Sequence, residues 1–404
     1  MRPFCFLLLV CLTAIACKEK HTLPDANARF LWASPAGEGS SLPNLFSGPG
    51  GAVFFSWVEK NKEGYNLMFS QVRETGWSAP TTIAHSDNWF INWADHPIIS
   101  SDSKGKILVH IPEKSGDGKF DYIVRVYTSL DSGRTWQNTF QVNEDHRGEH
   151  GFISSQPYKA AILTAWLDGR NAIMDDHPGH GGRMTLRAAL FDPVGLKERE
   201  WELDSLTCDC CQTAMARTDE GIVVFYRDRT PDEVRDISVV RFADSTWSPP
   251  QAVSNDGWKI NGCPVNGPRA ASIGNTVALA WYTAPGNDDQ VNFAYSRDGG
   301  RSFSPPVRID GGDTGGRVDV ACMDNDNFVV SWMEGNLLMI RLVTADGRMG
   351  IPIQITKSTT DRSSGFPQME VSGEGVVLAW TDTKSGRIKT GFVGFTALLN
   401  SLTE

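Results

Sequence analysis

Short runs of Val, Ile, Leu, Phe and Trp, set apart by Gly, Asn, Asp and Pro, follow one another from about residue 28 to 395. None lengthens into a convincing amphipathic helix, so the pattern predicts strands throughout. Seven of the runs end on an aromatic or histidine: Phe54 to Trp57, Ile107 to His110, Ile162 to Trp166, Val223 to Tyr226, Val277 to Trp281, Val329 to Trp332 and Val376 to Trp380. Successive rungs lie 53, 56, 60, 55, 51 and 48 residues apart. That period suits four-stranded sheets repeated around an axis better than a sandwich.

Upstream of each rung lies another apolar segment, near Pro43, Pro97, Ser154, Thr213, Ala270, Val320 and Met369, which predicts the inner strands. Third strands follow at Leu67 to Val72, Tyr122 to Thr128, Met184 to Phe191, Ile237 to Phe242, Val291 to Tyr295 and Leu338 to Val343. Outer segments follow at Ala79 to Ala84, Asn138 to Val142, Ala252-Val253, Val307 to Ile309 and Ile353 to Thr356. The seventh unit runs out of chain, while Arg29 to Ala33 has no partner before the first inner strand. The expectation is an all-β propeller of seven four-stranded blades, closed by that N-terminal segment, with six blades as the alternative.

Two turns carry related sequences, Ser129-Leu130-Asp131-Ser132-Gly133-Arg134-Thr135-Trp136 and Ser296-Arg297-Asp298-Gly299-Gly300-Arg301-Ser302-Phe303. The aspartate can accept backbone N–H bonds across the turn, glycine tolerates positive φ, and the aromatic returns to the apolar layer. The pattern resembles the Asp box of sialidase-type propellers, where it is structural. That resemblance implies three arginines on a sugar carboxylate, a Tyr/Glu nucleophilic pair and an Asp acid/base. Arg170, Arg227, Arg229, Arg269 and Arg317 are candidate anion contacts, Asp95 or Asp168 candidate proton donors, and Glu334 a candidate activating group. No tyrosine stands beside a compelling partner, the N-terminal Arg-Ile-Pro signature is missing, and seven blades depart from the family's six.

Arg2 precedes an apolar run from Phe4 to Ala16 that is too short to span a bilayer and reads as an export signal. Ala14-Ile15-Ala16-Cys17 looks like a lipobox, which makes Cys17 the lipidated first residue, with simple secretion as the alternative. The implied division is a signal at 1–16, a tether at 17–27, one propeller at 28–397 and a tail at 398–404. The implied place is the bacterial cell envelope, facing periplasm or exterior. The net charge of −10 becomes −11 when Arg2 departs. A polyanion-binding surface, and so nucleic acid, is not what this balance suggests.

Strand order puts the loops that enter inner strands, and those joining second to third strands, at one end. The two Asp-containing turns lie at the other. The first end therefore collects Trp93, Asp95 and His96, Cys208 to Gln212, Asn261 to Asn266 and Asp313 to Arg317. Two residues beyond the ladder position stand Glu59, Asp168, Asp228, Glu334 and Asp382, a repeated acid that suggests a polar rim. Arg227 and Arg229 alternate onto one side of their strand, where both can meet one anion or pair with nearby acids.

Cys208, Cys210, Cys211, Cys263 and Cys322 remain after the leader, an odd set that asks for a bridge, a ligand or a buried thiol. Repeat registration brings Cys208 and Cys263 together on adjacent blades, as a disulfide or a shared metal site, with His96 across the ring and His177 on a long loop. Copper or zinc suits such a Cys/His set. Cys322 falls inside an inner strand and reads as buried. The expected protein binds a ligand at its central pocket, with a Cys/His metal site. A glycoside hydrolase acting on acidic or hydroxylated glycans and a protein-interaction scaffold are the alternatives.

Overall fold

The structure, a computed structural model, describes residues 30–402 apart from 75, 103, 145–146 and 173–182. The described strands form seven antiparallel sheets around one axis. Blade 1 contains Ser40–Ser47, Val53–Asn61 and Gly64–Arg73, with Gly76–Trp77 and Thr81–Ser86 along its outer edge. Blade 2 contains Ile98–Ser101, Ile107–Lys114, Tyr122–Ser129 and Gln137–Gln141. Blade 3 contains His150–Tyr158, Ala161–Asp168, Thr185–Phe191 and Lys197–Asp204. Blade 4 contains Ala214–Arg217, Ile222–Arg227 and Ile237–Ala243, edged by Thr246–Trp247 and Gln251–Ala252. Blade 5 contains Arg269–Ile273, Thr276–Thr283, Gln290–Ser296 and Val307–Arg308. Blade 6 contains Thr314–Cys322, Asn327–Glu334, Leu337–Thr344 and Ile353–Lys357.

Blade 7 contains Gln368–Ser372, Gly375–Asp382 and Arg387–Gly394, and its fourth strand is Phe30–Trp32. Trp32 stands opposite Thr390, and its ring stacks on Phe392 with centroids 5.3 Å apart. The segment without a partner in the sequence pattern therefore closes the ring and covers the Arg387–Gly394 edge of blade 7 with a short outer strand.

Each ladder aromatic packs into the interface with the preceding blade. Trp166 meets Leu108 and Val124, Trp281 meets Val223 and Ile237, and Trp332 meets Ala278 and Phe293. Burying an indole also buries its N–H, which needs an acceptor. Alternation along the strand supplies one, because residues two apart share a face. Trp57 donates to Glu59 at 2.8 Å, Trp166 to Asp168 at 2.7 Å and Trp332 to Glu334 at 2.9 Å. Glu59 and Glu334 accept a second bond from the amides of Gly37 and Gly311, tying each indole to the loop that enters the inner strand of the same blade. The repeated acid is thus an indole clip in these three blades.

The two related turns hold together as their residues require. Asp131 accepts from the amides of Arg134 and Thr135, and Asp298 from those of Arg301 and Ser302. Trp136 and Phe303 return to meet Phe69 and Phe225. Besides the short edge strands Gly76–Trp77 and Thr246–Trp247, two longer elements lie outside the sequence pattern. Lys197–Asp204 is a charged outer strand, and Phe395–Asn400 is a short helix that buries Leu398 against blades 6 and 7.

Shortening the N-terminus to begin after Trp32 should lower the thermal unfolding midpoint and promote association through the uncovered Arg387–Gly394 edge; scanning calorimetry and light scattering read both. Glu334→Ala should cost about 1–3 kcal/mol in denaturant unfolding, the range for a buried donor left unpaired. Glu334→Gln, which keeps an acceptor oxygen, should cost clearly less.

Candidate functional site

The loops entering the inner strands meet at the axis and plug it. Gln212, from blade 4, donates to the carbonyl of Ala94 on the blade 2 loop at 2.6 Å and accepts from the amide of Gly267 on the blade 5 loop. A Cβ at position 267 would sit 2.1 Å from the Gln212 carbonyl oxygen, so only glycine permits this approach. Trp93 stacks on Phe366 at 5.6 Å, and the Arg317 guanidinium lies 5.2 Å from the Trp93 ring. Arg317 donates to the carbonyls of Thr360, Asp361 and Gly365 and to the Ser364 hydroxyl. Its donors are spent on the plug.

A void of about 10 Å³ survives beneath, lined by Ala94, His96, Gln212 and Arg269 among others. His96 is buried there, faces Phe366, and neither ring nitrogen has a hydrogen-bond partner. Burial, reinforced by Arg269, lowers its pKa to about 3, so the ring is neutral. A wider cavity of about 670 Å³ opens at the other end of the axis, where Arg217, Asp219, Ile273, Cys322 and Glu370 line it. That is the end of the Asp-containing turns, whereas the sequence pointed to a pocket at the entrance end.

Asp95 adjoins His96 in sequence, but its carboxylate turns elsewhere. One oxygen accepts from the Phe152 amide at 2.8 Å and the other contacts the Tyr122 hydroxyl at 2.9 Å. The same hydroxyl is 3.0 Å from Glu149. A Cβ on Gly151 would stand 1.9 Å from the Asp95 oxygen, so a bare backbone is what lets blades 2 and 3 close on this group. One phenolic hydrogen cannot satisfy two carboxylates, and the second contact requires a proton on a carboxyl. Burial raises Asp95 to about 7 and Glu149 to about 8; Tyr122 offsets this at both, and the neighbouring Asp95 carboxylate adds to the rise at Glu149. Burial also pushes the Tyr122 hydroxyl far above its ordinary value, which excludes a phenolate nucleophile here. Tyr122 and Asp95 are sealed, while Glu149 is half-buried and forms the accessible member. Sequence reasoning missed Tyr122 and Glu149; glycine at 151, beside a strand start, was the available signal.

The other candidate acids and arginines are structurally engaged. Asp168 accepts from Trp166, from both Nε and Nη2 of Arg170 at 2.7 and 2.8 Å, and faces His150 at 3.2 Å. Despite burial, these bonds hold it ionised below the usual carboxylate range, so it is no proton donor. Glu334 is the indole clip described above. Arg227 is buried, lies over Trp258, and donates to the carbonyls of Asn266, Arg235 and Tyr282, stitching blade 4 to blade 5. Arg229 pairs with Glu233 at 2.8 Å. The two arginines therefore do not converge on a shared anion position.

The described cysteines are free. Cys208, Cys210 and Cys211 form one group of mutually close ligand atoms, and Asp209, Cys210 and Cys263 form a second that shares Cys210. The neighbour of Cys263 is thus Cys210, rather than Cys208 as registration suggested. Sγ of Cys208 lies 3.9 Å from that of Cys210 and 3.5 Å from that of Cys211. This Cys/Asp cluster has the donors to hold a metal ion. His96 belongs to neither group among the described residues, whereas His177 and Cys17 lie outside those residues. Cys322 is buried in its inner strand, as expected.

No family model and no curated protein matches the sequence. Solved structures do match. An ulvan lyase of a polysaccharide lyase family is 10% identical, with a TM-score of 0.55 over 93% of this chain and 100% of that one. An α-L-arabinofuranosidase from Fusarium graminearum is 11% identical, with a TM-score of 0.52 over 91% and 100% of the two chains. A microbial sialidase is 12% identical, with a TM-score of 0.45 over 76% of this chain and 66% of that one. At these identities the likeness of the ulvan lyase and the arabinofuranosidase is one of fold alone, and the fold of this chain is a seven-bladed β-propeller.

Proposed function

We propose that the entrance end of this propeller binds a hydroxylated or acidic glycan and cleaves a glycosidic bond with Glu149 as proton donor. The observation that carries this reading is the Asp95–Tyr122–Glu149 array, in which one hydroxyl hydrogen between two carboxyls obliges a carboxyl to keep its proton. Asp95 and Tyr122 hold that proton at the half-buried Glu149, the member that substrate can reach. A carboxylic acid kept protonated near neutral pH is what departure of a glycosidic oxygen needs. The fold-level likeness to an ulvan lyase and an arabinofuranosidase supports a carbohydrate ligand. On this reading substrate lies beside the plug, over the seam of blades 2 and 3.

Export with lipid attachment at Cys17 belongs to the same proposal and rests on the leader described above. No described helix is long and apolar enough to cross a membrane. The full-length chain expressed in a bacterium should partition into detergent phase, and Cys17→Ala should move it to the aqueous phase.

On a panel of neutral and uronic-acid oligosaccharides, Glu149→Gln should lower turnover by about 10²–10⁴-fold, the usual share of a general acid. The wild-type rate should fall as pH rises through about 8. Full activity in Glu149→Gln, or a wild-type rate flat across that pH, would remove Glu149 from the role. The raised value has a thermodynamic consequence of definite sign. Between the ordinary glutamate value of 4.5 and about 8, the folded chain keeps a proton that the unfolded chain releases. Glu149 therefore makes stability fall as pH rises across that window, and Glu149→Gln should flatten the slope in denaturant titrations.

A further inference from the structure

We infer that Cys208, Cys210, Cys211 and Cys263 form a binding site for one thiophilic d¹⁰ metal ion, Zn²⁺ or Cu⁺, that clamps the entrance loops of blades 4 and 5. The inference rests on the thiols alone and is independent of any role for Glu149.

Sulfur positions come first. Ligands at a Zn–S distance of about 2.3 Å on a tetrahedron stand about 3.8 Å apart. The separations from Cys208 are 3.5 Å to Cys211 and 3.9 Å to Cys210, far longer than a disulfide and close to that edge. Cys208 and Cys211 are buried, Cys210 is half-buried and Cys263 is exposed, so the set runs from the interior to solvent. Three sulfurs come from one loop. The fourth comes from the next blade: Cys263 stands within 4.8 Å of Cys210 but outside the group that Cys210 forms with Cys208 and Cys211, so it completes the set by moving inward from the open side as an ion enters.

The surroundings favour thiolate. Arg235 is fully buried and directs Nη1 at the Cys208 sulfur, 3.1 Å away, while Nε and Nη2 hold Glu233. Arg227, a second buried guanidinium, is held by carbonyls alone. The guanidinium of Arg235 also lies 3.8 Å from Asp209, so the positive charge at the cluster is set by Arg235 and Arg227 together against Glu233 and Asp209, and the direct contact of Arg235 with the Cys208 sulfur is what favours the thiolate there. The loop is also fixed in place: the Cys208 amide donates to the carbonyl of Arg227, whose guanidinium holds the carbonyl of Asn266 on the Cys263 loop. The second-sphere arginines thus join the same two loops that the sulfurs join.

Soft thiolate sulfur selects Zn²⁺ and Cu⁺ over Mg²⁺ or Ca²⁺. As the metal–sulfur bonds form, the remaining thiol protons pass to solvent, and no change of oxidation state is involved. Four sulfurs close the coordination sphere, which makes this a structural ion that stabilises the folded state by mass action. Asp209, next to Cys210 and Cys263, is the competing oxygen donor that the fourth-ligand assignment must exclude.

The test uses mature protein purified anaerobically with reductant. Elemental analysis should find one Zn or Cu per chain, and the two readings of that measurement separate the metals. After chelation, Co²⁺ alone should restore intense sulfur-to-metal charge-transfer absorption, and Zn²⁺ alone should raise the unfolding midpoint. Cys263→Ser, an exposed position that preserves the fold, should weaken Co²⁺ binding at least tenfold and reduce the charge-transfer intensity by roughly a quarter. Asp209→Asn should leave both unchanged. Arg235→Gln should weaken binding by about 10–100-fold, as loss of an outer partner does. The proposal is overturned by a chain that binds none of these ions with its thiols free, or by a metal-free native mass showing a disulfide among the four. Loss of binding in Asp209→Asn with Cys263→Ser unaffected would overturn the assignment of Cys263.

Discussion

Three backbone residues hold this architecture closed. The pairing of Phe30–Trp32 with Arg387–Gly394 joins two ends of the chain that lie some 360 positions apart, and the packing of blade 1 on blade 7 completes the ring beside it. An open fan of sheets would leave an edge strand exposed and would let the entrance loops splay. Closure forces those loops toward one axis. Their backbone groups are then buried in each other's company and must be satisfied there. Gln212 and Arg227 do so by bridging carbonyls or amides from different blades, and Arg317 of blade 6 does so by holding the carbonyls of the loop that enters blade 7.

This division explains why so many charged groups at the entrance end are unsuited to ligand binding. An arginine whose donors are filled by carbonyls has none left for a sugar carboxylate, and an aspartate fixed by Trp166, His150 and Arg170 is held ionised too firmly to deliver a proton. What remains for chemistry are groups whose needs the plug does not meet. Those are the proton shared among Asp95, Tyr122 and Glu149 and the thiols beside Arg235. The two sets lie close enough that Asp209 and Cys263 raise the pKa of Glu149. Blade 3's entrance thus borders the seam of blades 4 and 5.

The ladder of buried aromatics was legible in the sequence because interface packing repeats with the blade and leaves a periodic mark. The closing strand was legible by subtraction. Lys197–Asp204 escaped because an outer strand has one face in solvent and carries KEREWELD, whose alternation is masked by charge. The acids at Asp168 and Glu334 read as a rim because their common register was visible and their partner was not. The indole two residues earlier was the missing clue, since strands place such pairs on one face. Tyr122 and Glu149 could not be paired from spacing, because they belong to different blades and meet where the bare backbone of Gly151 leaves room for Asp95 and Tyr122. The cysteine cluster was visible, but registration to within a residue could not decide that Cys210, and not Cys208, adjoins Cys263.

The central claim is that function resides at the plugged entrance end and not in the roomier cavity around Arg217 and Glu370. Hydrogen–deuterium exchange, with and without the oligosaccharide that binds most tightly, addresses it directly. Protection confined to residues 147–152, 208–213 and 261–267 is the predicted result. Protection at 47–51, 217–219 and 273–274, around the opposite mouth, would contradict it.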